Sequence, residues 1–318
     1  MYKTMSLIVP RAHRVDCNVV HMNAQPGAAT TEAVTITAAD GRELVGTLFL
    51  PASGEPTGTA AVLHPATGVN QHLYRKFADY LAGQGWPALT YDLRGSGLSV
   101  VASDKKDTTV RMSDWILKDV PAATAWLKER FPGRKHVGIG HSVGAHGMLA
   151  TQAQEPVDAM VMIASHAGIT ATISTRTERA KIWAIFNIIT PVTSKVLGYV
   201  PVEQLGVGKQ IPVGVMTQWA RWSRQPDYFF GDPEFDLATR YAAATGPVLS
   251  VVLTDDLWAN RAAVDVLTDR MTSAKVEKLD IECGKATPRG AVGHMGFYRS
   301  RNRELWPQVV GWVREKLH

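Results

Sequence analysis

Cysteine is nearly absent from this chain: Cys17 and Cys283 are its two, among 318 residues. Two thiols cannot build the framework of bridges that holds small secreted domains, and they lack the paired Cys/His spacing of a zinc site. A reducing, cytoplasmic setting is therefore expected. Long apolar runs are missing too. The best candidate, KIWAIFNIITPVTSKVLGYV, is broken by Lys181, Pro191 and Lys195, short of the roughly 20 residues a bilayer requires; no membrane span is expected. The opening MYKTMSLIVPRAHRV has a short apolar stretch ended by a proline and two arginines, with no small-residue cleavage pattern, so it does not read as a secretory leader. Charge of one sign is not concentrated anywhere. The balance is +5, from 34 Lys and Arg against 29 Asp and Glu, yet the densest groups, DKKD at 104–107 and RTERAK at 176–181, mix signs. That pattern marks a solvated surface and excludes nucleic acid as the expected partner. Internal repeats and low-complexity tracts are absent.

What is present is the composition of a compact folded protein, 45% apolar and 20% charged. AVTITAADGRELVGTLFLP reads as two strands around a tight ADG turn, the first beginning near Glu32. Residues 1–30 then form a loose N-terminal arm, with Met22 as an alternative start. Beyond the hairpin, short apolar runs at 59–64, 87–92, 136–140, 158–164, 247–254 and 276–282 suit strands covered on both faces. Most are separated by segments of helical periodicity, and the chain closes on RELWPQVVGWVREKL. Strand alternating with helix implies an α/β fold with a mainly parallel sheet. The alternation lapses over 166–244, expected to be a helical cap inserted in a core made of 31–165 and 245–318. The aromatic residues Trp183, Trp219, Trp222, Tyr228 and Phe229 of that insertion either line a substrate pocket or pack the cap onto the sheet.

The sharpest local signal is GHSVG at 140–144, a Gly-x-Ser-x-Gly between an expected strand and an expected helix. Lifting a hydroxyl clear of the sheet demands a reversal within a few atoms, which strains Ser142 and brings residues 140 and 144 close together; a side chain at either would collide. The helix that starts there directs free amides and its positive dipole end at the hydroxyl. A dinucleotide loop is the rival, since Gly138, Gly140 and Gly144 cluster, but its third glycine would have to stand where Val143 is. GVGKQ at 206–210 likewise lacks the remainder of a phosphate loop.

A serine hydroxyl needs a base, and the base an orienting carboxylate. His294, in the glycine-flanked loop AVGHMGFYR after the last strand, is the expected base. His141 and His146 adjoin the serine but point sideways or into the helix, while His64 and His166 belong to the pocket or its support. VVLTDDLWAN offers two acids; Asp256 is preferred and Asp255 is the alternative, because one residue of slip reverses which side chain faces inward. Backbone donors for a tetrahedral oxyanion are expected from Val143 and from the loop LHPATGVNQ, through Ala66 or alternatively Thr67. Pro65 has no amide hydrogen to give.

HPATGVNQHLYRKFADYLAGQGWPALTYDLRGSGLS, GIGHSVGA, TDDLWA and GHMGF together resemble the α/β-hydrolase superfamily, and within it the branch of serine aminopeptidase-like hydrolases, over residues 32–318. The resemblance implies an eight-stranded, mostly parallel sheet, a helical cap, and a catalytic triad in the chain order Ser142, Asp256, His294. It makes DLRGSGLS a structural loop in which Asp92 and Arg94 hold backbone. Departures from the family pattern are HPATG, where His-Gly is commoner, and Ala145 after Gly144. The expected function is a serine hydrolase acting on a small-molecule ester, thioester or amide through an acyl-enzyme, with no cofactor and no metal; an acyltransferase with the same triad, or a non-catalytic receptor on a hydrolase scaffold, are the alternatives. A homodimer is compatible with this reading.

Overall fold

The structure is a computed structural model that describes residues 29–52, 58–284 and 290–317. Most of the expected N-terminal arm, with Cys17 and Met22, lies outside the described residues. The sheet has eight strands: β1 (Thr30–Thr37), β2 (Glu43–Leu50), β3 (Thr59–His64), β4 (Ala88–Tyr91), β5 (Lys135–His141), β6 (Ala159–Ile163), β7 (Gly246–Leu253) and β8 (Ala274–Ile281). Their spatial order is β1-β2-β4-β3-β5-β6-β7-β8. The hairpin β1–β2 and the β2–β4 pair are antiparallel, and every later pair is parallel.

The hairpin closes through Asp40 and Gly41, whose φ of 80° is left-handed and suits glycine. β3, β4 and β6 are buried along their whole length, as their continuous apolar sequence requires of strands covered on both faces. β8 is an edge, largely exposed, and its Lys275, Glu277, Lys278 and Asp280 discourage further strand pairing. Helices Arg75–Gly83, Val120–Arg130, Val143–Thr151 and Arg261–Thr268 carry the crossovers, and Trp306–Leu317 ends the described chain. Among the described residues no helix is long and apolar enough to cross a membrane.

Among the described residues two helices contain a wide π turn, and both have the same cause. Trp115–Asp119 precedes Val120 and Pro121, and Ile185–Ile189 precedes Thr190 and Pro191. A proline ring displaces the carbonyl four residues back and offers it no hydrogen, and the wider turn relieves the clash. The expected helix through MSDWILKDVPAATAWLKERF therefore runs across its proline rather than stopping there.

Between β6 and β7 the chain forms helices Arg176–Ala184, Thr190–Leu197, Val213–Trp222 and Leu237–Ala242. Trp222, Tyr228 and Phe229 are fully buried there, with Phe229 5.0 Å and Tyr228 5.9 Å from the ring of His146 on the helix that follows Ser142. These three are packing residues, and Trp183 is exposed. Of the five aromatic side chains considered for a pocket, Trp219 alone lines the cavity at Ser142.

Candidate active site

Ser142 sits at the end of β5 with φ 51° and ψ −119°, a conformation that costs about 1–3 kcal/mol and persists only when its surroundings enforce it. Here the end of β6 and the residues just after it do so: the Ser142 amide donates to Ile163 O at 3.1 Å, and the Ser165 hydroxyl donates to Ser142 O at 2.9 Å. The flanking glycines are explained by close approach, though not to each other. A Cβ on Gly140 would lie 2.3 Å from the Cα of Ala145, and one on Gly144 would lie 2.2 Å from the carbonyl oxygen of His64. Gly144 thus lets the helix after Ser142 pack directly against the end of β3, from which the loop of Ala66 and Thr67 departs.

The two aspartates have separate duties. Asp256, buried, accepts the Nδ1 hydrogen of His294 on Oδ2 at 2.6 Å, while its Oδ1 accepts the amides of Trp258 at 2.9 Å and Ala259 at 3.1 Å. Burial alone would raise its pKa, but the charge and hydrogen bond of His294, with lesser help from His166 and the Trp258 amide, hold the carboxyl well below the usual range. Asp255 faces the other way. It accepts the amides of Val292 and Gly293, each at 2.8 Å, and the thiol of Cys283 at 3.0 Å, fastening the loop that carries His294. The preferred acid of the sequence reading is the one that meets the imidazole, and the alternative grips its loop.

His141 supports the same loop from below, its Nε2 lying 3.0 Å from His294 O. His166 packs edge-on to His294 with ring centroids 5.6 Å apart, and burial first, then the neighbouring His294, lower its pKa to about 4. His64 bonds Tyr91 Oη at 2.9 Å, and burial lowers it to about 3. Neither the Ser165 brace nor the His141 contact was evident in the sequence, because each depends on which groups face each other across the sheet.

Ser142 and His294 open on one cavity of about 230 Å³, also lined by Ala66, Thr67, Glu178, Trp219 and Trp258. The Ala66 amide, expected as the second oxyanion donor, gives its hydrogen to Tyr74 Oη at 2.8 Å. That leaves the Thr67 amide of the alternative. Like Val143 N–H, it donates to no group among the described residues. In the DLRGSGLS loop, Asp92 holds the amides of Gln71 and Leu98, as expected. Arg94 differs: its guanidinium pairs with Asp119 and Asp40 rather than with backbone.

Residues 55–235, more than half of the chain, match the family model described as serine aminopeptidase, S33. The chain belongs to that family. As a member of the S33 serine aminopeptidase family it falls within the α/β-hydrolase superfamily, in agreement with its sheet. No curated protein matches it. Solved structures share its fold at low identity. DcsB in complex with its substrate analogue superposes with a TM-score of 0.62 at 16% identity, covering 90% of this chain and 100% of that one. An esterase of Pyrococcus furiosus gives 0.57 at 16%, covering 90% and 91%. Est1E from Butyrivibrio proteoclasticus gives 0.55 at 16%, covering 90% and 98%.

Proposed function

We propose that this member of the S33 family is a serine hydrolase that cleaves a small ester, thioester or amide through an acyl-enzyme. The observation that carries the reading is the 2.6 Å contact of Asp256 with His294 beside a strained Ser142 on the wall of one cavity. Ser142 Oγ attacks the acyl carbonyl while His294 Nε2 takes its proton. The Nδ1 hydrogen stays on the ring, bonded to the Asp256 carboxylate, whose charge stabilises the imidazolium. The oxyanion accepts the amides of Val143 and Thr67, at the N-terminus of the Val143–Thr151 helix. His294 then protonates the leaving group, and water repeats the sequence on the acyl group to free Ser142.

The insertion at 166–244 acts as the cap, contributing Glu178 and Trp219 to the cavity wall. A volume of about 230 Å³ falls below the roughly 300–1,000 Å³ of drug-sized ligand sites. Together with Trp219 and Trp258, it favours a short, partly apolar acyl group. Labelling with a fluorophosphonate probe tests the reading: native protein takes the label and Ser142→Ala does not. Native protein that stays unlabelled while still folded would exclude it.

A further inference from the structure

Tyr74, at the end of the short helical turn Gln71–Tyr74, and His141, the last residue of β5, are both fully buried. Their polar atoms form an unbroken chain. Tyr74 Oη lies 2.8 Å from Ala66 N and 2.9 Å from His141 Nδ1, and His141 Nε2 lies 3.0 Å from His294 O. The ends fix the direction of every bond in it. An amide can only donate and a carbonyl can only accept. Ala66 N–H therefore donates to Tyr74 Oη, the single phenolic hydrogen passes to His141 Nδ1, and the imidazole carries its hydrogen on Nε2 for His294 O. A neutral imidazole in one tautomer satisfies all three bonds. A protonated one would leave the phenolic hydrogen without an acceptor.

We infer that Tyr74 and His141 are positioning residues that tie the oxyanion loop to the backbone of the catalytic base. The chain spans the two groups that must hold one spacing through both halves of the proposed reaction: the Ala66–Thr67 loop on one side of Ser142 and His294 on the other. By taking up the Ala66 hydrogen, Tyr74 also aims that loop so that the next amide, Thr67, is left for the oxyanion. Burial, with the nearby charge of His294, lowers His141 to about 3, in keeping with a ring that stays neutral. The groups around it are Tyr74, Tyr298, His294 and, further off, Asp256 and His166.

The effect on turnover rests on the hydrolase reading, whereas the direction of the chain does not, and two measurements separate them. In the first, kcat and KM for a short 4-nitrophenyl ester are compared after counting active sites with the fluorophosphonate. Tyr74→Phe is expected to lower kcat by about tenfold to a hundredfold, as small misplacements of catalytic groups do, with KM changed less than about twofold. His141→Leu is expected to behave likewise, and the double variant to lose no more than the worse single one, because the two act as a unit. His141→Gln, which can accept through one amide atom and donate through the other, restores part of the loss. In the second, nitrogen NMR of histidine-labelled full-length protein is expected to find His141 neutral with its hydrogen on Nε2 from about pH 6 to pH 9. An Nδ1–H tautomer, titration within that range, or wild-type kcat in Tyr74→Phe would overturn the inference. If wild-type protein resists the fluorophosphonate, the hydrolase reading falls and the NMR result alone judges the chain. If Tyr74→Phe fails to fold, His141→Gln and the NMR measurement still decide it.

Discussion

The carboxylate of Asp256 accepts a hydrogen bond from His294 Nδ1 at 2.6 Å, across 38 residues of chain. Asp255, its immediate neighbour, turns to the opposite side and holds the amides of Val292 and Gly293. Two adjacent carboxylates therefore serve one histidine in different ways, one through its ring and one through its loop.

Replacing each acid should separate these duties. Asp256→Asn removes the charge that stabilises the imidazolium and is expected to lower kcat by about 10³- to 10⁴-fold. Asp255→Asn deprives one loop amide of its acceptor and costs about 1–3 kcal/mol of stability, with kcat staying within about tenfold of wild type. Steady-state kinetics and urea unfolding of both variants check the split, and equal losses of kcat would contradict it.

Glycine substitutions test the packing around the elbow. Gly144→Ala would set a methyl group 2.2 Å from His64 O. It should destabilise the fold by more than about 1–3 kcal/mol, since backbone cannot yield as a side chain does. Gly311→Ala, in the Trp306–Leu317 helix with nothing within 4 Å of the new methyl, should instead stabilise by about 0.5–1 kcal/mol. Thermal unfolding of the pair reads both signs.

Acid should unfold the protein early. Burial lowers His64, His141 and His146 to about 3 and His166 to about 4. Between those values and the ordinary 6.5, the unfolded chain binds more protons than the folded one, so stability falls as pH drops through that window. Each group contributes up to about 1.4 kcal/mol per pH unit. The urea midpoint is expected to fall steeply between pH 7 and pH 5; a flat profile would mean that these rings are not held neutral.

If the proposed hydrolase acts on acyl esters, the cavity wall is expected to set the preferred chain length. Trp219, from the 166–244 insertion, lines the cavity, with Trp258 6.1 Å away between ring centroids. Trp219→Leu opens this end and should raise the ratio of kcat/KM for an eight-carbon over a two-carbon acyl ester by about tenfold or more, the scale on which methylenes are discriminated in apolar pockets. An unchanged ratio would place the acyl group elsewhere.

Much of this architecture was legible as rhythm. Each of the six short apolar runs expected as strands became one; β3, β4 and β6 are covered on both faces, where polar residues have no room, but β8 is not covered as expected, being an edge strand whose charged residues face solvent. The elbow was legible because only glycine allows Ala145 and His64 O so close to it. What escaped was whatever depended on partners distant in the chain. The sequence placed Ala66 ahead of Thr67 as donor because it gave no sign of Tyr74, whose hydroxyl accepts the Ala66 amide. Trp222, Tyr228 and Phe229 have the composition of a pocket, but Tyr228 and Phe229 pack on His146 and Trp222 packs on those two rings, whereas Trp258, hidden in TDDLWAN, lines the cavity. The π turns ahead of Pro121 and Pro191 carried no periodic signal of their own.

Trapping the proposed acyl-enzyme tests the hydrolase reading most directly. Protein mixed with a short 4-nitrophenyl ester, quenched in acid within milliseconds and digested for mass spectrometry should carry the acyl mass on Ser142, in the peptide that contains GHSVG, and His294→Ala should slow its appearance by orders of magnitude. Turnover of the ester with no acyl group on Ser142, or with the adduct on another residue, would contradict it.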